Sequence, residues 1–229
     1  MPMVTPRQRA REQTLVDITR LGREQLATVG AAQLSVRSIA RDLGVVSSAV
    51  YRYVKSRDDL LTLLVVDAYD ELGEAAEAAE RRRRRADHMG RLRAVAHGVR
   101  DWALAEPARY ALLFGSPVPD YEAPAEQTTG PGLRVPMLLV GVVDDAWQAG
   151  ALVDPATPLS KALAKDMAGV ADGLGVELSP AVMARSMFAW TSLFGAVSFE
   201  VFGQYGRDAS YSRRLFEHHL DRIAAEVGL

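Results

Sequence analysis

A helical pattern that stops and restarts within residues 35–61, SVRSIARDLGVVSSAVYRYVKSRDDLL, restricts this chain more than any other feature. Val36, Ile39, Ala40 and Leu43 fall at i, i+3, i+4 and i+7, so they share one face of a helix. Gly44 accepts the positive φ that ends a helix without steric cost. Beyond it Val45 is expected to fill the corner and Ser47 to cap a second helix, while Val50 and Val54 return apolar surface to the first. Ala40 is small enough for the two helices to cross closely. The spacing predicts a helix-turn-helix at about residues 35–54, and the interruption aims a short second helix outward.

That second helix would present Ser47, Ser48, Ala49, Tyr51, Arg52 and Tyr53. In helix-turn-helix proteins the first residues of the recognition helix reach base edges, while Lys, Arg and Tyr around them grip phosphates. The same residues would also serve as the plain polar surface of a corner in an α-protein. Charge adds a second signal. The net charge of −2 divides unevenly, because residues 1–57 hold ten Arg/Lys against four Asp/Glu, leaving 17 against 25 in the rest. A basic quarter (+6) on an acidic body (−8) points to a polyanion-binding module at the amino end.

Elsewhere helical periodicity dominates, with no alternating strand pattern and no repeat, so the fold class is all-α. One helix is predicted from Pro6 to Val29, with Leu15, Ile18 and Leu26 on one face and Gly30 as its stop. Another opens at Ser56, the N-cap before Asp58 and Asp59, and runs through Leu60, Leu64, Ala68 and Leu72 toward Glu80. Further helices are expected at about 88–105, 107–114, 127–149, 158–172, 179–203 and 208–227, with the proline-rich stretch 115–124 as a loop. The helix opened by Ser179 and Pro180 is apolar almost all round, from Val182 to Phe202. It therefore needs burial on two sides, by its own core and by a partner chain.

The order Ser-Val-Arg-Ser-Ile-Ala-Arg-Asp-Leu-Gly-Val, then Ala-Val-Tyr-Arg-Tyr-Val-Lys-Ser-Arg-Asp-Asp-Leu-Leu, resembles the TetR family of transcriptional regulators over about the first 70 residues. The resemblance implies a homodimer whose three-helix N-terminal domains enter successive major grooves of operator DNA. It implies that Arg37 reaches a base or phosphate and that Ser47, Ala49 and Arg52 face bases. Tyr51, Tyr53, Lys55 and Arg57 would hold phosphates. Ala49 stands where a hydroxyl residue is common, and contact with a thymine methyl is the physical alternative. The domains expected are residues 1–57 for DNA binding and 58–229 for ligand binding and dimerisation. Trp190-Thr-Ser-Leu-Phe-Gly195 resembles the Trp-x-x-Leu-His-Gly signature of one subgroup of the family, with Phe194 in the His position.

Trp102, Tyr110, Phe114, Met137, Trp147, Trp190 and Phe194 are candidates to line an apolar cavity for a small-molecule effector, although each taken singly reads first as core. Glu200 would anchor a polar ligand group or pair with an arginine. Arg7, Arg9 and Arg11 admit an arm along DNA or a mobile solvated tail, and the tail is favoured. The run Arg81–Arg85 reads as a solvated connector paired with Glu74, Glu77 and Glu80 rather than as a nucleic-acid site.

Four histidines without an i, i+4 pair, no cysteine, no glycine-rich phosphate loop and no nucleophile motif leave an enzyme reading without nominated residues. No cofactor or metal is expected. The absence of a stretch of about 18 uncharged apolar residues argues against a membrane span. With no apolar core after the basic start there is no secretory signal, so a cytoplasmic protein is expected. The function expected is a ligand-responsive repressor released from a near-palindromic operator by a small, largely apolar molecule. An activator and a non-specific DNA-binding protein are the alternatives.

Overall fold

A computed structural model of the chain describes residues 5–152, 158–206 and 208–229. Among these residues it contains ten α-helices and no strand. They are α1 (Pro6–Val29), α2 (Val36–Asp42), α3 (Ser47–Val50), α4 (Arg57–Glu80), α5 (His88–Ala105), α6 (Pro107–Phe114), α7 (Ala125–Gln148), α8 (Lys161–Leu174), α9 (Pro180–Val201) and α10 (Ala209–Val227). The helices divide into two compact units. The first runs to Glu71 and also takes in Glu106–Gly132; the second comprises Leu72–Ala105 and Leu133–Leu229.

In the first unit local chemistry sets each helix end. Pro6 opens α1 behind a capping box, in which Gln8 N donates to Thr5 Oγ1 and Thr5 N donates to Gln8 Oε1. Arg7, Arg9 and Arg11 therefore ride on a capped helix, not on the tail that the sequence favoured. Ser35 caps α2 by accepting from Ser38 N. At its other end Gly44 has φ of 69°, its N–H donates to Arg41 O, and Val45 N donates to Ala40 O. This is the paired closure that satisfies the last carbonyls of a helix before a left-handed glycine.

Two expectations at the corner fail. Val45 is 44% exposed rather than packed into the bend, and Val46 occupies the cap position of α3, so Ser47 is already helical and caps nothing. The turn is one residue shorter than the pattern suggested. What holds the two helices together is Val36, Ile39 and Ala40 against Val50 and Val54, over Ile18, Leu26, Leu60, Leu61 and Leu64. Ser56 does cap α4, accepting from Asp59 N, while Asp59 accepts from Lys55 N.

α6 lies against α1, and a shared ionic cluster ties both to α4. Arg23 of α1 donates to both carboxylate oxygens of Asp67, at 2.8 and 2.5 Å. Arg109 of α6, almost fully buried, donates to Asp67 Oδ2 at 2.9 Å and pairs closely with Glu71. The hydrogen bond to Asp67 raises the Arg23 guanidinium above its ordinary range.

In the second unit α9 packs against α5, α8 and α10. Its buried face carries Val182, Met183, Leu193 and Val197, while Phe188, Phe199 and Phe202 are 52%, 55% and 42% exposed. α5 crosses α4 closely at Gly98, where an added Cβ would stand 2.9 Å from Ala75 O. Arg91, 2% exposed, joins helix ends by donating to Glu80, Asp145 and the Arg85 carbonyl. Of the run Arg81–Arg85, Arg81 pairs with Glu77 and Arg85 with Asp145 and Glu80, and Arg82, Arg83 and Arg84 are exposed. α8 begins at Lys161, later than periodicity suggested, because Ser160 caps it by accepting from Leu163 N.

Candidate nucleic-acid interface

The buried backing of α2 and α3 leaves one side of the motif to solvent. Arg37 on α2 is exposed, as are Ser48, Tyr51, Arg52 and Lys55 on and after α3. Ser47 and Ala49 are half-buried. Tyr53 is also half-buried, packed at the edge of the core, with the Arg11 guanidinium 5.7 Å above its ring.

Arg57 is used differently from its expected phosphate role. Its Nη2 donates to Ala31 O at 3.1 Å and to Ala32 O at 3.4 Å, bracing the 3-10 turn Ala31–Gln33 against the start of α4. That nitrogen is aimed inward, while Nη1 lies 3.8 Å from the exposed Asp58 carboxylate.

Two features escaped the sequence. Val46, 71% exposed at the tip of the motif, offers an apolar contact of the kind a thymine methyl accepts. Nothing in the alternation of residues 43–50 distinguishes it from Val45. The second is a concavity of about 560 Å³ between the first turns of α1 and the end of the recognition segment, lined by Arg7, Gln8, Arg11, Arg52 and Tyr53 among others. The i, i+4 spacing of Arg7 and Arg11 was the available signal, since it puts both on one face once a helix begins at Pro6.

The seven aromatic and methionine candidates for an effector cavity divide between the units. Tyr110 is fully buried in the first, 4.9 Å from the ring of Phe114, which meets Tyr69 edge-on at 6.1 Å. Burial raises the Tyr69 phenol above its usual range. In the second unit Trp102 is buried, Trp147 half-buried and Met137 38% exposed, while Trp190 and Phe194 meet edge-to-face at 6.4 Å. Glu200 pairs with an arginine: Arg100 Nε donates to Oε2 at 2.7 Å and Nη2 to Oε1 at 2.6 Å. Among the described residues no cluster of three His, Asp or Glu side chains is placed to hold a metal ion, and no helix is long and apolar enough to cross a membrane.

An outward recognition segment on a trihelical base, with no strand among the described residues, defines a helix-turn-helix DNA-binding protein. Comparison with known proteins agrees. Residues 18–64 match the model of bacterial regulatory proteins of the tetR family, and residues 92–223 match the tetracyclin repressor-like C-terminal domain. HTH-type transcriptional regulators of Mycobacterium tuberculosis and Mycobacterium bovis are 44% identical over 211 residues, spanning 90% of this chain and 88% of theirs. The crystal structure of a regulatory protein, SCO4313, is similar with a TM-score of 0.77 and 32% identity over 96% of this chain and 100% of that one. The TetR family regulator PfmR from Thermus thermophilus shares the fold, with a TM-score of 0.56 and 14% identity over 90% and 97%. The chain belongs to the TetR family and is a DNA-binding transcriptional regulator, not an enzyme.

Proposed function

We propose that this chain acts as a cytoplasmic homodimeric repressor, docking Arg37, Ser47, Ser48, Ala49, Tyr51, Arg52, Tyr53 and Lys55 of each protomer on a near-palindromic operator. A small, largely apolar effector then releases it. The observation that carries the reading is the exposure of Ser48, Tyr51 and Arg52 over a fully buried backing of Ile39, Ala40 and Val50. The basic balance of residues 1–57 favours a polyanion over plain solvent as what these outward side chains meet.

Dimerisation is supported by α9. Phe188, Phe199 and Tyr205 with His219 and Arg222 of α10 line an open, mainly apolar groove of about 370 Å³. Exposed phenylalanines at this density suit a second copy of the same helices better than water. Two protomers joined there present two recognition segments, and operator binding requires their separation to match about 34 to 36 Å, one turn of DNA. An effector favouring another separation by about 1 to 3 kcal/mol would release the operator. Phe114 in the first unit, and separately the Trp190–Phe194 pair in the second, supply half-buried aromatic surface of the kind such a molecule would touch.

The test is a gel-shift titration against the chain's own upstream DNA at stated salt. Arg52→Ala is expected to cost about 1 to 3 kcal/mol and relax preference at its base, and Tyr51→Ala to weaken all duplexes alike. Equal affinity for a scrambled duplex would replace the operator reading with non-specific binding. Release of the complex in a screen of apolar compounds addresses the effector, and a reporter assay separates repression from activation.

A further inference from the structure

We propose that the concavity between α1 and the recognition segment is a second phosphate-binding site, in which Arg7 and Arg11 clamp the DNA backbone beside Arg52. The inference rests on the DNA-binding reading above and extends it to residues outside the helix-turn-helix.

Arg7 and Arg11 lie one helical turn apart on α1, so they project from the same face. The capping box at Thr5 and Gln8 and the proline at the first helical position hold that face rigid, and both arginines are exposed. Opposite them stand Arg52 and Tyr53, from the segment that follows α3. The hollow is open to solvent and measures about 560 Å³, and no acidic residue lines it. Three guanidinium groups thus face one hollow with no carboxylate in its wall, an arrangement whose mutual repulsion is relieved by an anion from outside.

The lining selects the anion. Guanidinium forks match phosphate oxygens in pairs, and three of them around one hollow suit a stretch of sugar-phosphate backbone better than a single point charge. Arg11 lies over the Tyr53 ring at 5.7 Å, so the aromatic face holds its side chain in position before any ligand arrives. Tyr53 in turn packs at the edge of the core, two residues after Tyr51, so the clamp is built onto the scaffold that sets the recognition segment. A contact here engages the phosphates flanking the base steps read by Ser48 and Arg52. It adds affinity and register without reading sequence.

The experiment is the salt dependence of binding to the upstream duplex, from about 50 to about 200 mM, for the wild-type chain, Arg7→Gln/Arg11→Gln and Arg7→Lys/Arg11→Lys. Each lost phosphate contact lowers the slope of log K against log salt by about 0.9. The glutamine variant is therefore expected to lose about 1.8 in slope per protomer, with its ranking of operator point variants unchanged. The lysine variant should keep most of the wild-type slope. Tyr53→Leu, which removes the stack and leaves every charge, should lose part of the slope. Circular dichroism and melting of each variant confirm the fold, which changes at the exposed Arg7 and Arg11 are not expected to disturb.

A glutamine variant that is folded and has the wild-type slope overturns the proposal. So does calorimetric binding of inorganic phosphate by the free protein that is lost in the glutamine variant while the DNA slope stays unchanged, since the hollow would then hold a free anion. Failure of the wild-type chain to prefer its operator over scrambled DNA strikes the parent reading instead. The slope difference between variants on any duplex still reports on the clamp.

Discussion

Replacing Arg100 by methionine isolates the energetics of a largely buried charge pair in the second unit. Arg100 and Glu200 have side chains 5% and 9% exposed, meet through two hydrogen bonds, and are covered by Phe216, whose ring lies 5.1 Å from the guanidinium carbon. Methionine keeps most of the apolar stem, so the change is chiefly electrostatic. It strands a carboxylate among α5, α9 and α10, and breaking a buried pair in this way costs about 3 to 5 kcal/mol. For a chain of this size about 2 to 4 °C of melting temperature goes with each kcal/mol, giving a drop of about 6 to 20 °C. The double change Arg100→Met/Glu200→Leu removes both charges and should recover most of the loss, because uncharged side chains of similar volume replace such pairs at little cost. Urea titration and thermal melts of the two single variants and the double measure the coupling. A loss of less than about 1 kcal/mol for Arg100→Met, or a double variant no more stable than the single, refutes a stranded buried charge at Glu200.

Three shorter tests follow from other positions. Gly44→Ala forces a side chain into φ of 69° where open space rather than a clash surrounds the Cβ, so it should cost about 1 to 2 kcal/mol from backbone conformation alone and weaken operator binding in proportion. Gly98→Val should destabilise the second unit more strongly, because its branches would press on backbone atoms of Ala75 and Ala76 that cannot swing away; comparison of its urea midpoint with that of Gly44→Ala checks the order. Burial, and then the neighbouring His218, lower the tendency of His219 to take a proton. The unfolded chain therefore binds that proton more readily, and stability that is full above about pH 6.5 declines as pH falls below it. His219→Gln should flatten that part of the pH profile, and since His219 lines the α9–α10 groove, sedimentation of the wild type should show weaker self-association over the same range.

The sequence by itself determined whatever depends on neighbours within a few positions. Helix spacing from Val36 to Leu43, the glycine at 44 and the serine caps at 56 and 179 each act over one turn, and each element stands where those signals put it. The same locality made Ser48, Tyr51 and Arg52 recognisable as outward side chains, because burying Val50 and Val54 leaves them no other direction. Tertiary structure decided where the charges go. Arg57 turned to the carbonyls of Ala31 and Ala32, Arg109 to Asp67, Arg100 to Glu200, and Arg11 to the ring of Tyr53. A guanidinium on a long flexible stem meets any anion or aromatic face that the path of the chain brings within reach. That partner can lie a hundred positions away, so no local pattern encodes the choice. The cap of α3 shows the same dependence at shorter range: packing of Val50 and Val54 set where the helix began, and Val46 rather than Ser47 fell at its start.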